Sequence, residues 1–91
     1  LNSNEKDKKV NNTKKFSYSI KVADFYYKDT ANIMVNRIKN ELFVKNSKII
    51  KLSETKYRVL IGPFNDIKSL RNSFEKMSNL NFENLEILEN V

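Results

Sequence analysis

The chain has no cysteine and no histidine, and its 91 residues include one glycine and one proline. Without cysteine there is no disulfide framework and no thiolate. Without histidine, the commonest acid–base group near neutral pH and the commonest metal ligand is also missing. Catalysis would have to run on carboxylates, lysines and tyrosines, so no catalytic residue, metal or cofactor is expected. The lack of cysteine is compatible with any compartment and locates nothing. No apolar run is long enough to span a bilayer. A chain of this size buries only about 60% of the surface it exposes when unfolded, which leaves little room for an internal active-site cavity.

The rare glycine and proline stand together, in Tyr57-Arg58-Val59-Leu60-Ile61-Gly62-Pro63-Phe64. Thirty-nine positions earlier stands a degraded copy, Tyr18-Ser19-Ile20-Lys21-Val22-Ala23-Asp24-Phe25. Tyr18 corresponds to Tyr57, Ile20 to Val59, Val22 to Ile61 and Phe25 to Phe64. Apolar residues recur at every second place in both, the pattern of a half-buried strand present twice.

The same offset carries a helical stripe. Ala31, Met34, Val35, Ile38 and Leu42 fall at helical spacing, and moving them by thirty-nine places puts Ala31 on Leu70, Val35 on Phe74 and Ile38 on Met77. Asp29 and Asp66 are candidate N-caps, whose carboxylates accept bonds from free first-turn amides. The inward residues of the second helix are expected to be Ile67, Leu70, Phe74 and Met77. A short strand over Lys48 to Leu52, a turn at Ser53 to Lys56, a strand over Tyr57 to Ile61 ended by Gly62-Pro63, and a last strand over Asn84 to Glu89 complete the order strand, helix, strand, strand, helix, strand. Leu85 and Ile87 share one face of that last strand. Two βαβ halves interleave as an α+β, ferredoxin-like sheet of four antiparallel strands with both helices on one face.

Residues 1–15 hold five lysines against Glu5 and Asp7, many asparagines and no aromatic residue, so they are expected to form a disordered basic linker ahead of a domain over 16–91. The net charge of +6 divides as +3 in each part, so the domain is only mildly basic. Opening on Leu1, the chain is expected to be a processed or cloned fragment, which leaves room for a signal or membrane anchor upstream.

The Arg-Val-x-Ile-Gly-Pro-Phe wording after a strand resembles the second half-motif of the SPOR (sporulation-related repeat) domains of bacterial envelope proteins, and the likeness runs from Phe16 to about Val91. The first half-motif departs from the family at Lys21, Ala23 and Asp24, where glutamine, glycine and serine are usual. The resemblance implies a non-catalytic, monomeric module in the periplasm or cell envelope. It would bind peptidoglycan glycan strands that lack stem peptides and would target a membrane-anchored or secreted parent protein to the division septum. It also implies that the helix-free sheet face carries the site. Strict alternation puts Ser19, Lys21, Ala23, Lys56, Arg58, Leu60 and Gly62 there, with Ala23 and Gly62 as a flat shelf for a sugar ring. The residues expected to contact glycan are Lys21, Asp24, Tyr26, Lys56, Arg58 and Leu60, of which Arg58 matches the arginine of some family members.

A single-stranded RNA-binding module of RRM-like fold has the same element order and is the alternative. It requires exposed aromatics on the central strands, whereas Tyr18 and Tyr57 are in phase with the buried residues here, and no nucleic-acid partner is expected. A ferredoxin-like protein-interaction module would use the same face with an acidic partner.

Overall fold

A computed structural model describes residues 16–90. The expected linker over 1–15 lies outside the described residues, as does Val91. The elements are β1 (Tyr18–Phe25), α1 (Lys28–Leu42), β2 (Ser47–Ser53), β3 (Lys56–Phe64), α2 (Ile67–Asn79) and β4 (Glu86–Glu89). The strands form one antiparallel sheet in the order β2-β3-β1-β4. The two copies of the strand motif are therefore the central pair, and each half sends its second strand to the far edge of the other half's first. The fold expected from the repeat is the fold observed.

One core joins both helices to one face of the sheet. Ile20, Val22, Val59 and Ile61 from the central strands pack with Ala31, Val35, Ile38 and Leu42 of α1 and with Leu70 and Met77 of α2. The repeat-related pairs Ala31/Leu70 and Ile38/Met77 are all buried, and Tyr18, Phe25, Tyr57 and Phe74 pack around them. Ile67, expected inward, is exposed at the start of α2. Among the described residues no helix is long and apolar enough to cross a membrane.

Asp66 caps α2 as expected: the Ser69 amide donates to Asp66 Oδ1 at 2.8 Å and the Ser69 hydroxyl to Oδ2 at 3.0 Å. Asp29 does not cap α1. The N-cap is Tyr27, in an extended conformation with no side-chain cap bond, and Asp29 lies within the first turn. A carboxylate there still faces the positive end of the helix dipole. The thirty-nine-residue offset itself pairs Tyr27 with Asp66, so the repeat marks the helix start more faithfully than residue type.

The bonds from Ser69, the backbone one first, hold the Asp66 carboxyl below its usual range. A carboxyl depressed by folding adds stability above its unfolded pKa and loses it as pH falls through the folded value. Asp66→Ala is therefore expected to lower the melting temperature at neutral pH and to flatten the acid limb of the melting profile. Equal acid sensitivity in variant and wild type would refute this.

Two irregularities in the β1–β3 pairing adjust the simple alternation. Between Lys21 and Ala23 the register slips by one, so that Lys21 pairs Leu60 while Ala23 pairs Val59 and Asp24 pairs Arg58. Val22 is the extra residue of a bulge, and a bulge re-aims every side chain beyond it. Ala23 consequently packs against the core, and Asp24 comes to the open face opposite Arg58. The second slip falls between Tyr18 and Ile20, opposite Gly62-Pro63. Here β3 continues to Phe64 instead of stopping at the proline, and the Gly62–Pro63 peptide is cis. The Gly62 amide donates to the Asn46 carbonyl at 2.9 Å.

These shifts remove the flat shelf expected at Ala23 and Gly62. Ala23 has turned toward the helices, and Gly62 is backed by Ser19, whose Oγ would lie 2.6 Å from any Cβ added to the glycine. Ser19, expected on the wet face, is buried, and its hydroxyl donates to Asn90 Oδ1 at 3.1 Å. This bond and that from the Asn90 amide to the Ser17 carbonyl at 2.9 Å fasten the chain after β4 to the start of β1.

Candidate functional site

The open face of the sheet carries a compact charged cluster centred on Asp24. Arg58 Nε donates to Asp24 Oδ1 at 2.8 Å and Nη2 to Oδ2 at 3.0 Å, a two-pronged ion pair across the central strands. Lys21 Nζ lies 3.6 Å from Asp24 Oδ2 and 3.7 Å from Glu86 Oε2, and Lys56 Nζ lies 3.9 Å from Asp24 Oδ2. Three cations thus meet two carboxylates within one patch.

The strands dictate this arrangement. Lys56 and Arg58 are two apart on β3 and share its outward face. Lys21 and Asp24 are three apart on β1, a spacing that puts them on opposite faces of a regular strand, and the Val22 bulge brings them to the same one. Glu86 reaches the patch because β4 pairs it with Lys21.

The cluster is partly sheltered but open to solvent, with side-chain exposures of 21%, 20% and 24% for Lys21, Asp24 and Arg58. The hydrogen bond from Arg58 is the main reason the Asp24 carboxyl sits below its usual range, with the Arg58, Lys21 and Lys56 charges acting in the same direction. The same bond to Asp24 pushes the Arg58 guanidinium further up. Both groups are fully ionised at neutral pH.

Of the residues expected to contact glycan, Lys21, Asp24, Lys56 and Arg58 are brought together. Tyr26 lies two residues beyond Asp24 in the β1–α1 connection. Its ring is 60% exposed and meets that of Tyr27, 64% exposed, edge to face at 4.8 Å between centroids. Neither ring tucks beneath α1, so both present an aromatic surface at the end of the sheet where Asp24 and Arg58 pair.

Leu60 departs from expectation. It belongs to the open face by register but is only 6% exposed, flanked by Lys21 on β1 and Lys48 on β2. Lysine stems at such positions can lie along apolar surface while their ammonium groups stay in water. Leu60 is thus a floor beneath the cluster, not a contact surface.

Sequence reasoning missed two members of the site. Glu86 was invisible because the pairing of the short β4 has no sequence signature. Ile50, partly exposed and opposite Arg58 in the β2–β3 ladder, was legible as a strand residue but not as a neighbour of the arginine.

The carboxylates are held by cations, and among the described residues no group of three or more acidic side chains is placed to hold a metal ion. Tyr18 and Tyr57 pack toward the helices, so the central strands do not offer the aromatic platform that base stacking needs. An apolar groove of about 420 Å³ lies elsewhere, between α2 and β4, lined by Ile67, Leu70, Phe74 and Ile87 among others, and shares no residue with the cluster.

The architecture is a split-βαβ sheet with one wet, charged face. The chain belongs to the SPOR domain family, whose family model matches residues 14–83. SPOR domains are peptidoglycan-binding domains of bacterial cell-envelope division proteins. The matched segment contains β1 through α2 and every cluster residue except Glu86. Neither the search of curated proteins nor that of solved structures returns a match.

Proposed function

We propose that this chain is a non-catalytic module that binds peptidoglycan glycan strands lacking stem peptides through the open face of β1 and β3. It acts as a monomer in the periplasm or cell envelope and directs a membrane-anchored or secreted parent polypeptide to the division septum. The observation that carries this reading is the convergence of Lys21, Lys56 and Arg58 on the open sheet face of a SPOR-family chain.

Physical chemistry supports a preference for stripped strands. Removing a stem peptide from its sugar turns the lactyl amide into a free carboxylate, so a stripped strand presents negative charge on alternate sugars. Arg58 has five N–H donors, of which Asp24 engages two. The rest, with Lys21 and Lys56, are available to sugar hydroxyls and to that carboxylate. Tyr26 and Tyr27 supply rings against which a sugar stacks.

The test is retention on purified sacculi before and after amidase treatment. Stronger retention after treatment is expected, and Arg58→Ala is expected to weaken it about tenfold, the loss of one charge-assisted contact. Equal retention on both preparations, or an Arg58→Ala variant that binds as wild type, would refute the reading.

A further inference from the structure

We infer that Asp24 is a built-in occupant of the anion seat on the open face, and that it sets how strongly this chain distinguishes carboxylate-bearing from neutral glycan. The inference deepens the glycan reading and rests on it. Its basis is the geometry: one carboxylate takes the Nε and Nη2 edge of Arg58 and draws Lys21 and Lys56 within 4 Å, which is what a bound ligand carboxylate would do.

Three features make Asp24 an occupant and not merely a neighbour. It reaches the face through the Val22 bulge, without which it would point at the helices. It is ionised throughout the neutral range, as any aspartate with an ordinary pKa is, and the Arg58 bonds lower its carboxyl further. Glu86, the second carboxylate, touches Lys21 and leaves Arg58 to Asp24. With Asp24 charged, an incoming carboxylate meets cations already partly neutralised and the Nε and Nη2 edge of Arg58 taken. With it uncharged, Arg58 and Lys56 lose their carboxylate partner at the same places and Lys21 keeps only Glu86.

Asp24→Asn keeps the shape and removes the charge. Its expected effect is a five- to tenfold gain, on the order of one close charge contact near water, in affinity for amidase-stripped glycan strands. The gain should be clearly smaller for neutral chitin oligosaccharides, and binding to stripped strands should become more salt-sensitive, as expected for newly released cations. Asp24→Ser provides a second variant with a smaller side chain.

Sodium lactate against lactamide supplies a readout that needs no glycan. In Asp24→Asn or Asp24→Ser the Arg58 Nε–H NMR signal should shift saturably with lactate and not with lactamide. In the wild type it should move little with either.

If the folded variants bind stripped strands no better than wild type, or if lactate shifts Arg58 equally in wild type and variants, Asp24 is a structural ion-pair partner and the inference is wrong. If lactate discriminates but neither protein binds sacculi, the seat is real and the glycan reading falls. Unfolding of both variants by circular dichroism would likewise assign Asp24 to structure and overturn the inference.

Discussion

Gly62→Ala is expected to destabilise the domain by about 3 kcal/mol, combining backbone strain with overpacking. Gly62 has φ of +141°, a region that residues with a Cβ rarely adopt. An added Cβ would also lie 2.6 Å from Ser19 Oγ and 3.1 Å from Ser19 Cα, and the latter is backbone that cannot rotate away. Ser19 in turn is tied to Asn90, so relief on that side loosens the attachment of β4. For a domain of this size the loss corresponds to a fall of roughly 15 °C in melting temperature. Denaturant titration would decide it, and a loss below about 1 kcal/mol would show that the strand relaxes around the methyl group.

Ile61→Ala should cost about as much for a different reason. Ile61 is fully buried on a central strand, beneath both helices, so truncation leaves a cavity that the sheet cannot close; such changes cost about 2–5 kcal/mol. Ile87 on the edge strand is the control. It is half exposed, and Ile87→Ser is expected to cost only about 1 kcal/mol, the loss of half a buried side chain with no closed cavity left behind. Similar losses at the two positions would mean that the core is less centred on the β1–β3 pair than described.

Much of this was legible in the sequence because the chain states its fold twice. The offset between Tyr18 and Tyr57 located both central strands, and the same offset matched Ala31 to Leu70 and Ile38 to Met77, all of which are buried. The phase that puts Tyr57 inward and Arg58 outward followed from alternation, which holds wherever one face of a sheet is buried. Asp66 was legible as a cap because its chemistry is local.

What alternation hid was the bulge. A residue inserted in one strand is defined by its partner strand, and no property of Val22 announces it. Hence Ala23 was expected outside and is inside, while the pairing of Asp24 with Arg58 depends on a ladder that period-two counting cannot see. The burial of Leu60 and Ser19 was hidden for a related reason. Each has neighbours contributed from elsewhere in the chain, Lys21 and Lys48 beside Leu60 in the ladder and Asn90 bonded to Ser19.

The strand order also governs how the chain acquires its shape during synthesis. The hairpin of β2 and β3 closes over a two-residue turn and is complete once Phe64 has left the ribosome. The first strand emerges much earlier, yet its partners are β3 and β4, so one of its edges waits for the middle of the chain and the other for the far end of the domain. Distant pairing of this kind slows folding and leaves strand edges open to wrong partners in the interval. In a nascent chain, the stretch that later carries Lys21 and Asp24 is therefore the strand that waits longest for its partners.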